Sequence, residues 1–171
     1  FTLNGIAYND AESQGVFLVN LPDFLSSTNS IQVQRGVGTS SNGSGAFGAT
    51  VNLLTNEVQD KAYATLSNSI GSYNTSKNTF KAGSGLINGR YTFDVRLSSL
   101  KSDGYVDRAS SNLQSFYVSA ASITANTSLR LNVFSGKEKT YQSWYGITEE
   151  QLTADRKFNS AGTDKAGDPY E

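Results

Sequence analysis

The sequence predicts an all-β fold, built of antiparallel strands of membrane-barrel character, and three observations carry that prediction. Composition comes first: 37% of the 171 residues are hydrophobic, and the polar remainder is mostly Ser, Thr, Asn and Gly interleaved with Tyr and Phe. Such a mixture disfavours long helices and suits pleated, two-faced strands joined by tight turns. The second observation is an apolar/polar alternation with a period of two that recurs in several short segments. The third is that the connections between those segments alternate between short and long, as they do in outer-membrane barrels.

The segment Leu3 to Phe17 contains a short extended run turning at Asn4-Gly5 and carries Asp10, Glu12 and Gly15. Ile31 to Arg35 then alternate as a strand, followed by a glycine-dense stretch and a second alternating run from Ala49 to Thr55. Within the stretch, Gly43-Ser-Gly45-Ala-Phe-Gly48 matches G-x-G-x-x-G, which in a dinucleotide-binding unit leads from a strand into a helix. Here the residues after Gly48 have the period of a strand, so no helix N-terminus is available for a pyrophosphate. A phosphate loop from Gly38 to Gly43 fails as well, because Ser44 and Gly45 stand where Lys and Ser or Thr are required. Nucleotide binding is not expected.

The same residues resemble the end of the plug domain in TonB-dependent outer-membrane receptors. In that family a strand ending in Arg-Gly leads through a small-residue turn to an aromatic-Gly pair and then to hydrophobic-Asn-hydrophobic-x-Thr. Here those elements read Val33-Gln-Arg35-Gly36, then Phe47-Gly48-Ala-Thr-Val51-Asn52-Leu53-Leu-Thr55. The resemblance implies a plug followed by strands of a 22-stranded barrel. It places residues 1–57 in the C-terminal part of the plug and makes Gly36, Gly43, Gly45 and Gly48 its turn. It also makes Arg35 a candidate latch toward acidic residues of the inner barrel wall, on strands this chain does not contain. An arginine fork can hold carboxylates in fixed geometry there. Further implications are uptake of a scarce solute such as an iron-siderophore chelate, energy delivered by the inner-membrane TonB complex, residence in a bacterial outer membrane, and no covalent chemistry.

After Thr55 the alternating segments follow one another at barrel-strand spacing. Ala62, Ala64 and Leu66 oppose Tyr63, Thr65 and Ser67; Phe80, Ala82 and Leu86 oppose Lys81, Gly83 and Gly85. The clearest segment is 90–98, where Tyr91, Phe93, Val95 and Leu97 share one face and Thr92, Asp94, Arg96 and Ser98 the other. Residues 113–123 read as a strand of undetermined parity, and Leu129, Leu131 and Val133 alternate with Arg130, Asn132 and Phe134. About five antiparallel strands over residues 58–138 are therefore expected. Arg96 and Arg130 both fall on the polar face, as a lumen-facing assignment requires, since a lipid-facing Arg at mid-bilayer costs roughly 2–4 kcal/mol. Asn88-Gly89 and Asn126-Thr127 are expected as short inner turns, with Gly71 to Ser76 and residues 102–111 as outer connections.

Residues 139–171 are expected to belong to a long extracellular loop. Thr148-Glu-Glu-Gln-Leu152 has the pattern of a capped helix start, and Tyr141, Trp144 and Tyr145 form an aromatic group that is a candidate for ligand contact or for a rim at the lipid headgroups.

The absence of Cys and His removes disulfides, thiolate nucleophiles, the usual zinc ligand sets and a histidine base. No cofactor and no metal site is expected. Paired carboxylates at Asp10/Glu12, Asp103/Asp107 and Glu149/Glu150 lie in loop-like surroundings, and Asp103-Gly-Tyr-Val-Asp107 lacks the oxygen ligands of an EF-hand. A net charge of −1 gives nucleic acid no electrostatic footing. With neither an initiating Met nor a leader, the chain is expected to be a piece of a longer receptor. The competing reading is a soluble or secreted β-sheet binding module, an adhesin or carbohydrate-binding domain, in which the same alternation packs one sheet on another.

Overall fold

Alternation over residues 90–98 is one part of a longer strand, and the whole second half of the chain is built on it. The computed structural model describes residues 1–18, 21–36, 48–55, 58–141 and 145–161. Within these, β1 (Thr2–Leu3), β2 (Ile6–Ala7), β3 (Ser30–Arg35) and β4 (Ala49–Leu54) form one small sheet in the order β2-β1-β4-β3. Asn4 and Gly5, both at positive φ, turn β1 back onto β2 as the Asn-Gly signal implies. Strand β1 runs parallel to β4, which pairs antiparallel with β3 from Ser30↔Leu54 to Arg35↔Ala49.

A second sheet holds β5 (Tyr63–Gly71), β6 (Thr75–Gly83), β7 (Tyr91–Ser102), β8 (Ser111–Ile123) and β9 (Ser128–Thr140), five strands in sequential antiparallel order. The expected all-β, antiparallel class is what the chain adopts. Strand β8, whose parity the sequence left undetermined, is fixed by its register with β7: Leu97↔Phe116 and Val95↔Val118 set Phe116, Val118 and Ala120 on the face of Leu97. The same register puts Tyr117, Ser119 and Ala121 on the face of Arg96.

Two connections differ from expectation. Gly71 to Ser76 is not a loop: Gly71 and Thr75 already pair, and only Ser72, Tyr73 and Asn74 lie between the strands. Tyr73 and Asn74 both adopt positive φ, which lets the chain reverse in so few residues. Asn88-Gly89 does turn with positive φ at both residues, but it sits in the longer segment 84–90, closed by an isolated Ile87↔Tyr91 bridge. The connection over 103–110 falls within the expected 102–111, and the short turn over 124–127 contains the expected Asn126-Thr127.

The two sheets meet over a small core in which Phe24, Leu53 and Tyr117 are buried, with Leu3, Leu21, Val51 and Phe134 packed around them. All of the second sheet's contribution to this core comes from the Arg96 face. Its opposite face, carrying Leu66, Phe93, Leu97, Leu129 and Leu131, is exposed along its length. The sheet is thus polar where the chain covers it and apolar where nothing does, the inverse of a water-soluble sandwich. Among the described residues no helix is long and apolar enough to cross a membrane. The one α-helix among the described residues, α1 (Glu149–Ala154), begins with the expected cap, Thr148 and Gln151 forming a reciprocal capping box.

Candidate functional site

The residues that bind the small sheet's polypeptide to the larger sheet lie in Leu21-Pro-Asp-Phe-Leu-Ser-Ser27. Asp23 sits at φ 51° and opens a turn of 3-10 helix over Phe24–Ser27. Its own geometry is local in origin: the Phe24 N–H donates to the Leu21 carbonyl at 3.1 Å, and the Ser26 hydroxyl donates to the Asp23 carboxylate at 2.7 Å. Such Asp and Ser side chains hold a turn where Pro has pre-set the entry angle.

Once held, the Asp23 carboxylate faces the wall of the second sheet. Lys77 Nζ on β6 donates to Oδ1 at 2.8 Å and to Ser26 Oγ at 2.8 Å. The Ser98 hydroxyl on β7 donates to Oδ2, and Arg96 Nη1 stands 3.6 Å from it. Arg96 also donates through Nε to Ser27 Oγ, and through Nη1 to Ser115 Oγ on β8 at 3.0 Å. The Arg96 side chain is 3% exposed and that of Asp23 9%, so this pair is held out of water, whereas Lys77 at 34% remains partly solvated. A buried guanidinium needs this many partners, because each donor left without one costs its hydration.

Burial pushes the Asp23 carboxyl up, but the hydrogen bonds from Lys77, Ser98 and Ser26 and the Lys77 charge outweigh it and leave the carboxyl below its ordinary value of 3.8. A depressed carboxyl stabilises fully above that ordinary value, and the contribution is lost as pH falls through the lower folded value. Docking of 21–27 should therefore be flat from neutral pH down to about 5 and weaken below about 4. Limited proteolysis across that range checks it, and Asp23→Asn should remove the pH dependence in this window.

Apolar contacts flank the ion pair. The Phe24 ring lies 5.0 Å from that of Phe134 at a tilt of 57°, and meets Tyr117 edge-on at 6.4 Å. Pro22 rests on Gly136 of β9, where an added Cβ would come within 2.4 Å of the proline Cγ, so only glycine admits the ring this close. A second polar link joins the end of β4 to the wall. Asn4 Nδ2 donates to Thr55 Oγ1 at 2.8 Å, the Thr55 and Tyr117 hydroxyls bond at 2.8 Å, and Tyr117 donates to Asn132 Oδ1 at 3.0 Å.

The residues singled out from sequence are placed as follows. Arg35 stands exposed at the end of β3 and forms no ion pair with a carboxylate among the described residues. Gly36, at φ 81°, donates its N–H to the Gly48 carbonyl at 2.9 Å, so the glycine-rich stretch leaves and returns at one point. Gly43, Gly45 and Trp144 lie outside the described residues. Tyr141 and Tyr145 are exposed, and Tyr141 extends the β8–β9 ladder by donating to the Ser110 carbonyl at 2.9 Å. An aromatic pair with no signal in the sequence, Tyr73 and Tyr105, stacks edge-on at 5.5 Å between the 72–74 reversal and the 103–110 connection. Arg108 and Asn159 tie the 103–110 connection to the segment after α1, through Arg108 Nε to the Ala161 carbonyl at 3.0 Å and Asn159 Nδ2 to the Asp107 carbonyl at 2.7 Å. Among the described residues no group of three or more His, Cys, Asp or Glu could hold a metal ion.

Asp23 was overlooked because 21–27 has no periodicity to mark it. One signal was present: a lumenal Arg96 requires a counter-charge, and the segment before the strands offers few carboxylates.

A tethered small sheet on the polar face of an antiparallel wall whose other face is apolar defines a plugged β-barrel architecture. Solved structures agree. The chain is similar to the pyoverdine outer membrane receptor FpvA of Pseudomonas aeruginosa, solved bound to pyoverdine, with 14% identity, a TM-score of 0.62, and coverage of 80% of this chain and 20% of that one. It is also similar to the siderophore receptor PirA of Acinetobacter baumannii, at 21% identity and a TM-score of 0.50, over 65% of this chain and 18% of that one. The chain thus has the fold of part of such receptors and spans about a fifth of their length. No family profile and no curated protein sequence matches it.

Proposed function

We propose that the chain forms the late plug (1–57), the first five barrel strands (58–138) and part of an outer loop (139–171) of a TonB-dependent outer-membrane receptor for a scarce solute, an iron-siderophore chelate being the best candidate. The observation that carries this reading is the inverted sheet. Arg96 and Arg130 point inward while Leu66, Leu97, Leu129 and Leu131 point outward and are exposed. Lipid accounts for that arrangement and water does not. Siderophore binding by both structural neighbours supports the choice of solute. The competing soluble module would have to leave these leucines in water.

In this reading the protein binds and gates, and breaks no covalent bond. Tyr141 and Tyr145, with Tyr73 and Tyr105, present aromatic surface to a chelate at the outer rim, and Trp144 is a candidate from the sequence for the same role. The Asp23–Arg96 anchor keeps the plug seated, and force from the TonB complex must be applied without unseating the whole domain. Arg35 lies free to engage acidic residues elsewhere in the completed barrel wall. The test is fractionation of cells producing the receptor, followed by uptake of radiolabelled iron carried on a mixture of siderophores, with and without TonB. Recovery in the outer membrane and TonB-dependent uptake are expected. A protein that purifies as a detergent-free soluble monomer would refute the proposal.

A further inference from the structure

Resting on that membrane reading, we infer that the lipid-facing side of β7, β8 and β9 carries a specific site for a phosphorylated glycolipid of the outer leaflet. Charge on the outward face of the sheet is unevenly distributed. Every ionisable side chain with outward parity on β5 to β9, apart from the Tyr91 phenol, is a lysine, and these are Lys101, Lys137 and Lys139. No carboxylate shares that face; the acidic residues of these strands, Asp94 and Glu138, have inward parity. All of the lysines are exposed and all stand at the end of the sheet that bears the 103–110 connection.

The lysines are close enough to act on one headgroup. Lys101 and Lys139 flank Asn112 across consecutive strand pairs, which sets their Cα atoms roughly 10 Å apart, and Lys137 is two residues from Lys139, about 7 Å along the strand. Below them the outward face changes in a single register step. Asn78, Ser99 and Gln114 form a polar row beside Lys137, and the next row is Leu66, Phe80, Leu97 and Phe116. A groove of about 580 Å3 runs across that boundary, with the apolar row along one end and Lys137 at the other.

This is a vertical sequence of acyl-chain groove, hydrogen-bonding row and ammonium cluster. It matches a molecule that has hydrocarbon below, hydroxyl or amide groups at the interface and phosphate above. The opposite end of the same face has one cation, Arg90, whose guanidinium lies over the Tyr91 ring at 5.1 Å and donates to Ser122 Oγ at 3.4 Å, so the lysine cluster, polar row and groove occur together at the 103–110 end alone. Lipid phosphate of the leaflet at the 103–110 end is the occupant that satisfies both the charge and the groove.

The test uses the receptor folded in nanodiscs, with bisphosphorylated lipid A as the probe and phosphatase-treated lipid A and zwitterionic phosphatidylcholine as comparison arms. Binding is read by native mass spectrometry at low and moderate salt. Wild type should retain the phosphorylated probe in preference to both others. The K101Q/K137Q/K139Q variant should bind it roughly a hundredfold more weakly, at about tenfold per one to two lysines, with the preference weakening as salt rises. Equal retention of the dephosphorylated lipid, or a variant that binds like wild type, overturns the inference. Folding into the bilayer is scored separately by heat-modifiable gel mobility. A protein that inserts but does not discriminate defeats only the lipid site, whereas one that fails to insert defeats the receptor reading with it.

Discussion

Asp23→Ala is expected to weaken docking of the plug segment against the wall by roughly 3–5 kcal/mol, the usual cost of stranding one member of a buried pair. The penalty comes from Arg96, whose side chain is 3% exposed and cannot regain water without moving β7 or the 24–27 turn. Lys77 matters less, because its side chain is 34% exposed and solvent replaces the lost carboxylate. Asp23→Asn separates charge from shape: its single amide oxygen replaces only one of the two carboxylate oxygens that accept from Ser26 and Ser98, and the guanidinium is left uncompensated, so it should recover only part of the loss. Asp23→Ala/Arg96→Met removes both charges, and most of the stability should return. Protease sensitivity of 21–27 in the detergent-solubilised receptor measures docking, and entry of a large hydrophilic antibiotic into cells reports a loosened plug. If the single and double variants resist protease equally, the pair does not anchor the plug.

In the proposed receptor, the polarity of this anchor bears on how the small sheet is held. The carboxylate belongs to the plug and the cations to the wall, the reverse of the arrangement that the receptor resemblance assigns to Arg35. Asp23 also lies in a turn held by its own neighbours, with the Ser26 hydroxyl and the Phe24 N–H closing it locally. The Thr55–Tyr117–Asn132 link at the end of β4 holds the other side of the same small sheet.

Legibility in the sequence followed contrast between faces. Residues 91–97 were readable because Tyr, Phe, Val and Leu oppose Thr, Asp and Arg, and the strand's continuation to Ser102 was not, because Ser99 and Lys101 make the outward face polar too. Strand β8 hid its parity behind small residues on both faces, Ser115, Ser119, Ala120, Ala121 and Ser122, and only pairing with β7 resolves it. The connection expected over Gly71 to Ser76 is shorter than its turn-forming residues suggest, because the reversal needs only the residues between Gly71 and Thr75. The anchor was the least visible feature. Its meaning depends on Lys77, 54 positions away in sequence, and on Arg96, farther still.

Phe24→Ala should be as damaging as loss of Asp23, by about 3–5 kcal/mol, since it empties a buried aromatic site. Phe24 is 4% exposed and touches both layers: Phe134 and Tyr117 on the wall, and Leu53 within the small sheet's core. No neighbour can fill the space, because Pro22 is already against Gly136 and Tyr117 is held by Thr55 and Asn132. Phe24→Leu keeps most of the volume and should cost less than about 1.5 kcal/mol. Global melting is the wrong readout, because the barrel strands keep their own ladders when the plug loosens. Amide hydrogen exchange resolves the two parts: a loss of about 3 kcal/mol speeds exchange through local opening by more than a hundredfold. That acceleration is expected in β1, β4 and the 24–27 turn, with β7 and β8 unchanged. Because Asp23 and Phe24 are adjacent in one turn, the double variant should lose less than the sum of the two. Unchanged exchange in β4 after Phe24→Ala would mean that the small sheet is held by contacts other than this ring.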